Sequence, residues 1–403
     1  MNGARMVDWT VRHLPEPARC VVVGNVVFLS GCAGAPETAS VEEQVTAALD
    51  QARLAMEQAG ASMGNIVKTF FLVTSLDDYG RVRKTETEYY ERHAPQLVTT
   101  PPAATLMVVP SLERPGVKVQ YEAIGAVDRG RADWAVKYYP EFWAGRELAY
   151  PHVPKEHAKF ARSQAVGNLL IVSGCQALDH GTVRVETADF DAQSRIVLDK
   201  VKVAMEETGG TLANVVKTHV FIKDAAMLRR YRDVEREFFA AHAPEFVDRP
   251  PASTALVVSE LPRREFLVEV EAFGVADGNA PGWNTRYHVG AASAGKLLFV
   301  SGCRDSAAGG PASGPIERQV AAALDEVKAA MERAGSSLDK VVKTTLLLRD
   351  RHDYPAMRAA ELAYYRRHAP QLVAAPPAST FMQVAAIGDD PAARFEMDAI
   401  GVL

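Results

Sequence analysis

Three cysteines and three carboxylates recur in register along the chain, and both residue types could take part in bond-making or proton transfer. Cys32, Cys175 and Cys303 each close an apolar run, Val27-Phe28-Leu29-Ser30-Gly31-Cys32, Leu170-Ile171-Val172-Ser173-Gly174-Cys175 and Leu298-Phe299-Val300-Ser301-Gly302-Cys303. Glu122, Glu271 and Asp398 each stand inside a later one, Tyr121-Glu122-Ala123-Ile124-Gly125 and its two counterparts. A thiol with a carboxylate as general base would make a covalent nucleophile. A neighbouring carboxylate, however, raises a thiol above its reference value of ~8.5, and only a cation or a helix N-terminus would lower it. In a milder chemistry the carboxylate orients water or shuttles a proton, while the thiol and Ser30, Ser173 or Ser301 shape the pocket. The plainest reading makes the cysteine a small buried residue and the carboxylate a hydrogen-bonded core group.

These residues sit on elements that repeat three times. The four apolar residues before each Ser-Gly-Cys follow a turn and predict a buried strand. If the extended backbone continues, Ser30 and Cys32 share a face, as do Ser173 with Cys175 and Ser301 with Cys303, and the glycine between them lets a chain or ligand approach. An amphipathic helix follows, with Val45, Ala48, Leu49, Ala52 and Met56 on one side, and Gly60, Gly209 and Gly335 stand where a left-handed cap is expected. A Val-Lys-Thr strand and a second helix come next. That helix ends at His93, His242 and His368, each before Ala-Pro, where a base in the last turn suits the helix dipole better than a catalytic role. A diproline then leads into a strand carrying Thr105, Thr254 or Thr380. The pattern predicts an α+β unit, one sheet with two helices on one face, in domains 1–128, 129–278 and 279–403. Each repeat opens with a tryptophan and a base three residues on: Trp9 with Arg12, Trp134 with Lys137, Trp283 with Arg286. The connector after Trp134 is about twenty residues longer than its counterpart and holds Tyr138, Tyr139, Phe142, Trp143, Tyr150, His152 and His157, which suit interface packing or a lid.

Composition narrows the function. A net charge of -5 without a long basic run gives no footprint for nucleic acid. No stretch reaches the ~18 apolar residues of a membrane span, and the polar start of the chain lacks the apolar core of a signal peptide, so a soluble cytoplasmic protein is expected. The four cysteines have neither disulfide-framework nor metal-ligand spacing, and no phosphate- or dinucleotide-binding glycine loop is visible, so no metal and no cofactor are expected.

The fixed order of Ser-Gly after an apolar strand, Val-Lys-Thr, a Pro-Ala strand and a closing Glu-Ala-Ile resembles the Rid (YjgF) family, also called the L-PSP endoribonuclease family, three times over. The resemblance implies three chorismate mutase-like units forming a pseudo-trimer within one chain, with ligand clefts between repeats and a small-molecule substrate. It implies hydrolysis or tautomerisation of an imine, enamine or related C–N bond in a specialised, biosynthetic metabolite, with Glu122, Glu271 and Asp398 in the slot of a glutamate that helps activate water. Ala104, Ser253 and Ser379 fill the slot of the arginine that clamps a substrate carboxylate in deaminating members, and Leu106, Ala255 and Phe381 beside them give the clefts different room. Substrate contact falls to Ser30, Ser173, Ser301, Thr105, Thr254 and Thr380. Arg12, Lys137 and Arg286 are candidates to replace the clamp, against a reading as solvent-facing bases on an edge strand. The rival functions are a non-catalytic binding or scaffold pseudo-trimer and a chorismatase-like hydrolase or lyase.

Overall fold

A computed structural model describes residues 7–14, 19–139, 160–179, 184–278, 280–305 and 311–403. Each repeat folds into a mixed sheet. In the first, the strands lie in the spatial order Val11–Leu14, Cys20–Val23, Val26–Leu29, Val119–Ala126, Ile66–Val73, Ala103–Val108. All neighbours are antiparallel except Ile66–Val73 with Ala103–Val108, whose parallel pairing requires the crossover helix Tyr79–His93 between them. The sheets of the second and third repeats have the same order, ending in Ala252–Val257 and Ala378–Gln383.

Two long helices cover one face of each sheet. In the first repeat, Val41–Gln58 starts from Ser40, whose hydroxyl and Glu43 form a reciprocal capping box, and buries Val45, Ala48, Leu49, Ala52 and Met56. Gly60, Gly209 and Gly335 follow the first helix of their repeats at φ 87°, 90° and 83°. His93, His242 and His368 occupy the last turn of the second helices, exposed and stacked on Tyr89, Phe238 and Tyr364 at 4.3–4.4 Å.

The opposite faces of the three sheets meet in one core to which every repeat contributes, with Phe28 and Ile124 from the first, Ile171 and Phe273 from the second, Phe299 and Ile400 from the third. At one end of this core Trp9, Trp134 and Trp283 pack edge to face around a common axis, their centroids 4.9–5.1 Å apart. Each ring lies against the turn glycine of a strand hairpin: Trp134 against Gly24 and Gly167, Trp283 against Gly167, Trp9 against Gly295. Those glycines have φ near +60° and no room for a Cβ. Of the long connector, Tyr138 and Tyr139 lie in the edge strand Val136–Tyr139, while Phe142, Trp143, Tyr150, His152 and His157 lie outside the described residues.

Because Trp134 is fully buried, Trp134→Ala is expected to destabilise the protein by about 3–5 kcal/mol, read as a lower midpoint in chemical denaturation. An unchanged midpoint would show that the tryptophan cluster does not hold the repeats together.

Candidate functional site

The Ser-Gly-Cys segments do not continue the strand regularly. Opposite Ile124 stands Phe28, yet opposite Tyr121 stands Cys32, four steps against three. The same single extra residue occurs between Ile171 and Cys175 and between Val300 and Cys303. Such a bulge turns residues two apart to different surroundings. The serine goes to the joint with the neighbouring repeat, where Ser30, Ser173 and Ser301 accept the backbone N–H of Ser379, Ala104 and Ser253 at 2.9–3.2 Å. The cysteine goes to the helix-side core, its thiol donating to the carbonyl of the serine two residues earlier at 3.2–3.5 Å.

The glycine between them makes room for a side chain of the last strand. A Cβ on Gly31, Gly174 or Gly302 would lie 2.4, 1.8 or 2.1 Å from the nearest side-chain atom of Gln120, Glu269 or Glu396 respectively. These three residues, two positions before Glu122, Glu271 and Asp398, lie at the joints between repeats, and Gln120 lines the cleft between repeats 3 and 1. Burial pushes the Glu396 carboxyl up to about 7 against the opposing pull of Arg304, 3.7 Å away. Glu269, fully enclosed and without a well-aligned hydrogen bond, is pushed up to about 8. The third cleft has the neutral Gln120, whose amide donates to the Phe381 carbonyl at 3.1 Å.

Across each cleft the preceding repeat places an arginine from the first turns of its second helix, held three residues on by a buried glutamate: Arg83 with Glu86 and Arg232 with Glu235, both at 2.6 Å, and Arg358 with Glu361. Each arginine neighbours a small residue of the adjacent strand. Arg83 borders the same space as Ala104, Arg232 donates to the Ser253 hydroxyl at 3.0 Å, and Arg358 shares a cleft with Ser379. The side chain of Arg83 is 7 % exposed, against 34 % for Arg232 and 42 % for Arg358. The joint between repeats 1 and 2 is therefore closed around its arginine, and the other two are open.

Glu122, Glu271 and Asp398 point elsewhere, into a central cavity of about 610 Å³ including its open mouth, lined by all three sheets. Each meets the lysine of the preceding repeat's Val-Lys-Thr strand: Lys68 with Glu271 at 2.6 Å, Lys217 with Asp398, and Lys343 with Glu122 at 2.8 Å. Thr105, Thr254 and Thr380 complete the three networks, accepting from the lysine and donating to the carboxylate. His219 adds a bridge, one ring nitrogen 2.8 Å from Glu271 and the other 3.2 Å from Asp398. Burial would raise Glu271, but Lys68 and His219 hold it down at about 2, and Lys217 and His219 likewise hold Asp398 well below the carboxylate range.

A sequence profile described as Endoribonuclease L-PSP matches residues 17–127, 151–276 and 278–403. The chain belongs to the endoribonuclease L-PSP family. A RutC family protein of Sulfurisphaera tokodaii is 33% identical over 117 residues, 29% of this chain and 87% of its own. The 2-iminobutanoate/2-iminopropanoate deaminase of Escherichia coli is 31% identical over 130 residues, 32% of this chain and 97% of its own. Among solved structures, a chorismatase aligns over 64% of this chain and 76% of its own, at 16% identity and a TM-score of 0.47.

Within this three-repeat L-PSP chain several sequence expectations change place. Cys32, Cys175 and Cys303 do not face Glu122, Glu271 and Asp398 across a cleft, because the bulge sends the thiols to the helix side and the carboxylates are bound to lysines in the central cavity. Burial pushes all three thiols up to about 12. The threonines serve the ion pairs and the serines the joints rather than open substrate surface. Arg12, Lys137 and Arg286 are exposed on the edge strands Val11–Leu14, Val136–Tyr139 and Thr285–His288. Sequence reasoning missed Gln120, Glu269, Glu396 and the Arg-x-x-Glu pairs. The repeated Arg-x-x-Glu spacing, which puts both residues on one side of a helix, was the available signal.

Labelling of the native protein with iodoacetamide at pH 8 is expected to be slow at all three repeat cysteines and to become fast on denaturation. Rapid native labelling at any of them would contradict their burial. The central cavity should give a pH signature. Burial lowers the pKa of His219, but Asp398 and Glu271 outweigh it and the net shift is upward from 6.5. Protonated His219 thus stabilises the fold fully below its unfolded value of ~6.5, and the contribution is lost as pH rises through the higher folded value. His219→Gln should lower the denaturation midpoint most at pH 5–6, with the gap narrowing toward pH 9; a pH-independent gap would refute the bridge.

Proposed function

We propose that this protein hydrolyses an imine or enamine, working in the cleft between repeats 2 and 3 with Glu396 as the proton-transfer group. The observation that carries the proposal is a buried carboxyl raised to about 7 at a joint between repeats, near an arginine, Arg232, whose side chain is partly exposed, since a general acid–base group works best with a pKa near the working pH. The charged groups around it are Arg304 and Asp398 from its own sheet and Lys217 and Arg232 from the neighbouring repeat. The 31% identity to an iminobutanoate/iminopropanoate deaminase supports a C–N double bond as the target.

The chemistry needs one group that first accepts and then returns a proton. Glu396 as carboxylate takes a proton from water as its oxygen adds to the C=N carbon. It gives that proton to the nitrogen, which completes the carbinolamine; a second relay through the same carboxylate takes the hydroxyl proton and passes it to the nitrogen, ammonia leaves, and the carbonyl forms. The carboxyl ends as it began, and C=NH plus water becomes C=O plus ammonia. Gly302 is required because any side chain there would displace the carboxyl.

Glu396→Gln should lower turnover of an imine generated in situ from a 2-amino acid by about 10²–10⁴-fold with an unchanged thermal midpoint, and the wild-type kcat/KM should rise with pH through about 7. Full activity in Glu396→Gln would sink the assignment, and absence of turnover by the parent protein would favour the scaffold reading.

A further inference from the structure

Three equivalent positions around the central cavity are no longer filled alike. Phe70, His219 and Thr345 occupy the same place in their sheets, each paired across to the carboxylate of its own last strand, Glu122, Glu271 and Asp398. All six line the cavity. From that place the His219 ring reaches into the next repeat and bridges Glu271 to Asp398. Phe70 also supplies a ring, 5.8 Å from that of Phe221. Thr345 supplies none. By the rotation that carries His219 from Glu271 to Asp398, a ring at Thr345 would lie between Asp398 and Glu122, so the third repeat leaves a ring-sized space beside the Glu122 carboxylate.

The polar groups around this space decide what can enter it. Glu122 accepts from both Lys343 and Thr380 on Oε2, and among the described residues its Oε1 has no hydrogen-bond partner, whereas the corresponding second oxygen of Glu271 is met by His219. The Glu122 side chain is 17 % exposed, against 5 % for Glu271 and 6 % for Asp398. An unmet acceptor beside a space calls for a donor. Three lysines already balance three carboxylates here, and protonated His219 adds one positive charge. A further cation would be repelled where the dielectric is low, and an anion would find the lysines paired. A neutral donor meets neither obstacle. Phe70, Phe221, Leu256 and Met382 make the neighbouring wall apolar, the usual lining for a small organic ligand. We propose that the central cavity binds a small neutral aromatic molecule carrying an O–H or N–H donor, its ring in the space beside Thr345 and its donor on Glu122 Oε1.

The site is independent of the hydrolysis assigned to Glu396, and the test separates the two. Phenol is the probe, and toluene, similar in shape but without the donor, is its control. Full-length protein carrying ¹³C-labelled methionine methyls is titrated with each and followed by NMR, the Met382 resonance being assigned with Met382→Leu. Phenol should shift that resonance saturably, and toluene should bind at least about 10-fold more weakly, the usual effect of losing a hydrogen bond to a charged group. Thr345→Phe, which supplies the ring found at Phe70, should abolish the phenol shift. If that variant does not fold, the contrast between phenol and toluene in the parent protein decides alone. Glu396→Gln should bind phenol as the parent does, whether or not it abolishes turnover. The proposal is overturned if phenol leaves the Met382 resonance unmoved, if toluene binds as tightly as phenol, or if folded Thr345→Phe binds phenol with parental affinity.

Discussion

The joining of the three repeats depends on three ion pairs that run one way around a ring, two of them buried and the third partly exposed at Glu122. Lys68 of the first repeat meets Glu271 of the second, Lys217 of the second meets Asp398 of the third, and Lys343 of the third meets Glu122 of the first. Removing one partner from such a pair is strongly unfavourable, since the remaining charge stays buried without its counterion. No repeat can satisfy its own lysine. The pairs therefore specify three repeats, in one rotational order, with the threonine of the lysine's repeat filling the remaining hydrogen-bonding capacity on both sides.

The same rotational order builds the clefts. Each is made from the small strand residue and helix arginine of one repeat and the Ser-Gly-Cys bulge of the next. One extra residue in that bulge assigns three side chains to three tasks: the serine stitches the joint, the glycine admits Gln120, Glu269 or Glu396, and the cysteine fills the core. Without the bulge the serine and cysteine would share a face, and the polar residue of the last strand would collide with the chain beside it.

Much of this was legible in the sequence and some of it was not, for identifiable reasons. The threefold repeat, the amphipathic helices, the glycines after them and the position of His93, His242 and His368 follow from local periodicity and cap chemistry. The bulge does not, because nothing in Ser-Gly-Cys distinguishes an extra residue from a regular strand. The sequence therefore leaves open which member of an alternating pair faces a joint between repeats. Gln120 and Glu122, like Glu269 with Glu271 and Glu396 with Asp398, lie on one side of their strand, and alternation alone cannot say which is deep enough to meet a lysine and which is shallow enough to reach a cleft. Depth along a curved sheet is a tertiary property. So is the pairing of each lysine with a different repeat.

Joining three repeats in one chain removes the requirement that the clefts be alike, and the residues show how far they have diverged. The axis itself is no longer symmetric: the position after Val-Lys-Thr is Phe70 in the first repeat, His219 in the second and Thr345 in the third. A histidine at all three positions would place up to three additional positive charges among the lysines. A single one can lie between Glu271 and Asp398 and satisfy both, while Phe70 packs on Phe221 at 5.8 Å. An assembly of identical subunits must accept any substitution three times, so a lone bridging histidine, a neutral Gln120 beside two carboxyls and one sealed joint are arrangements that only the fused chain can hold.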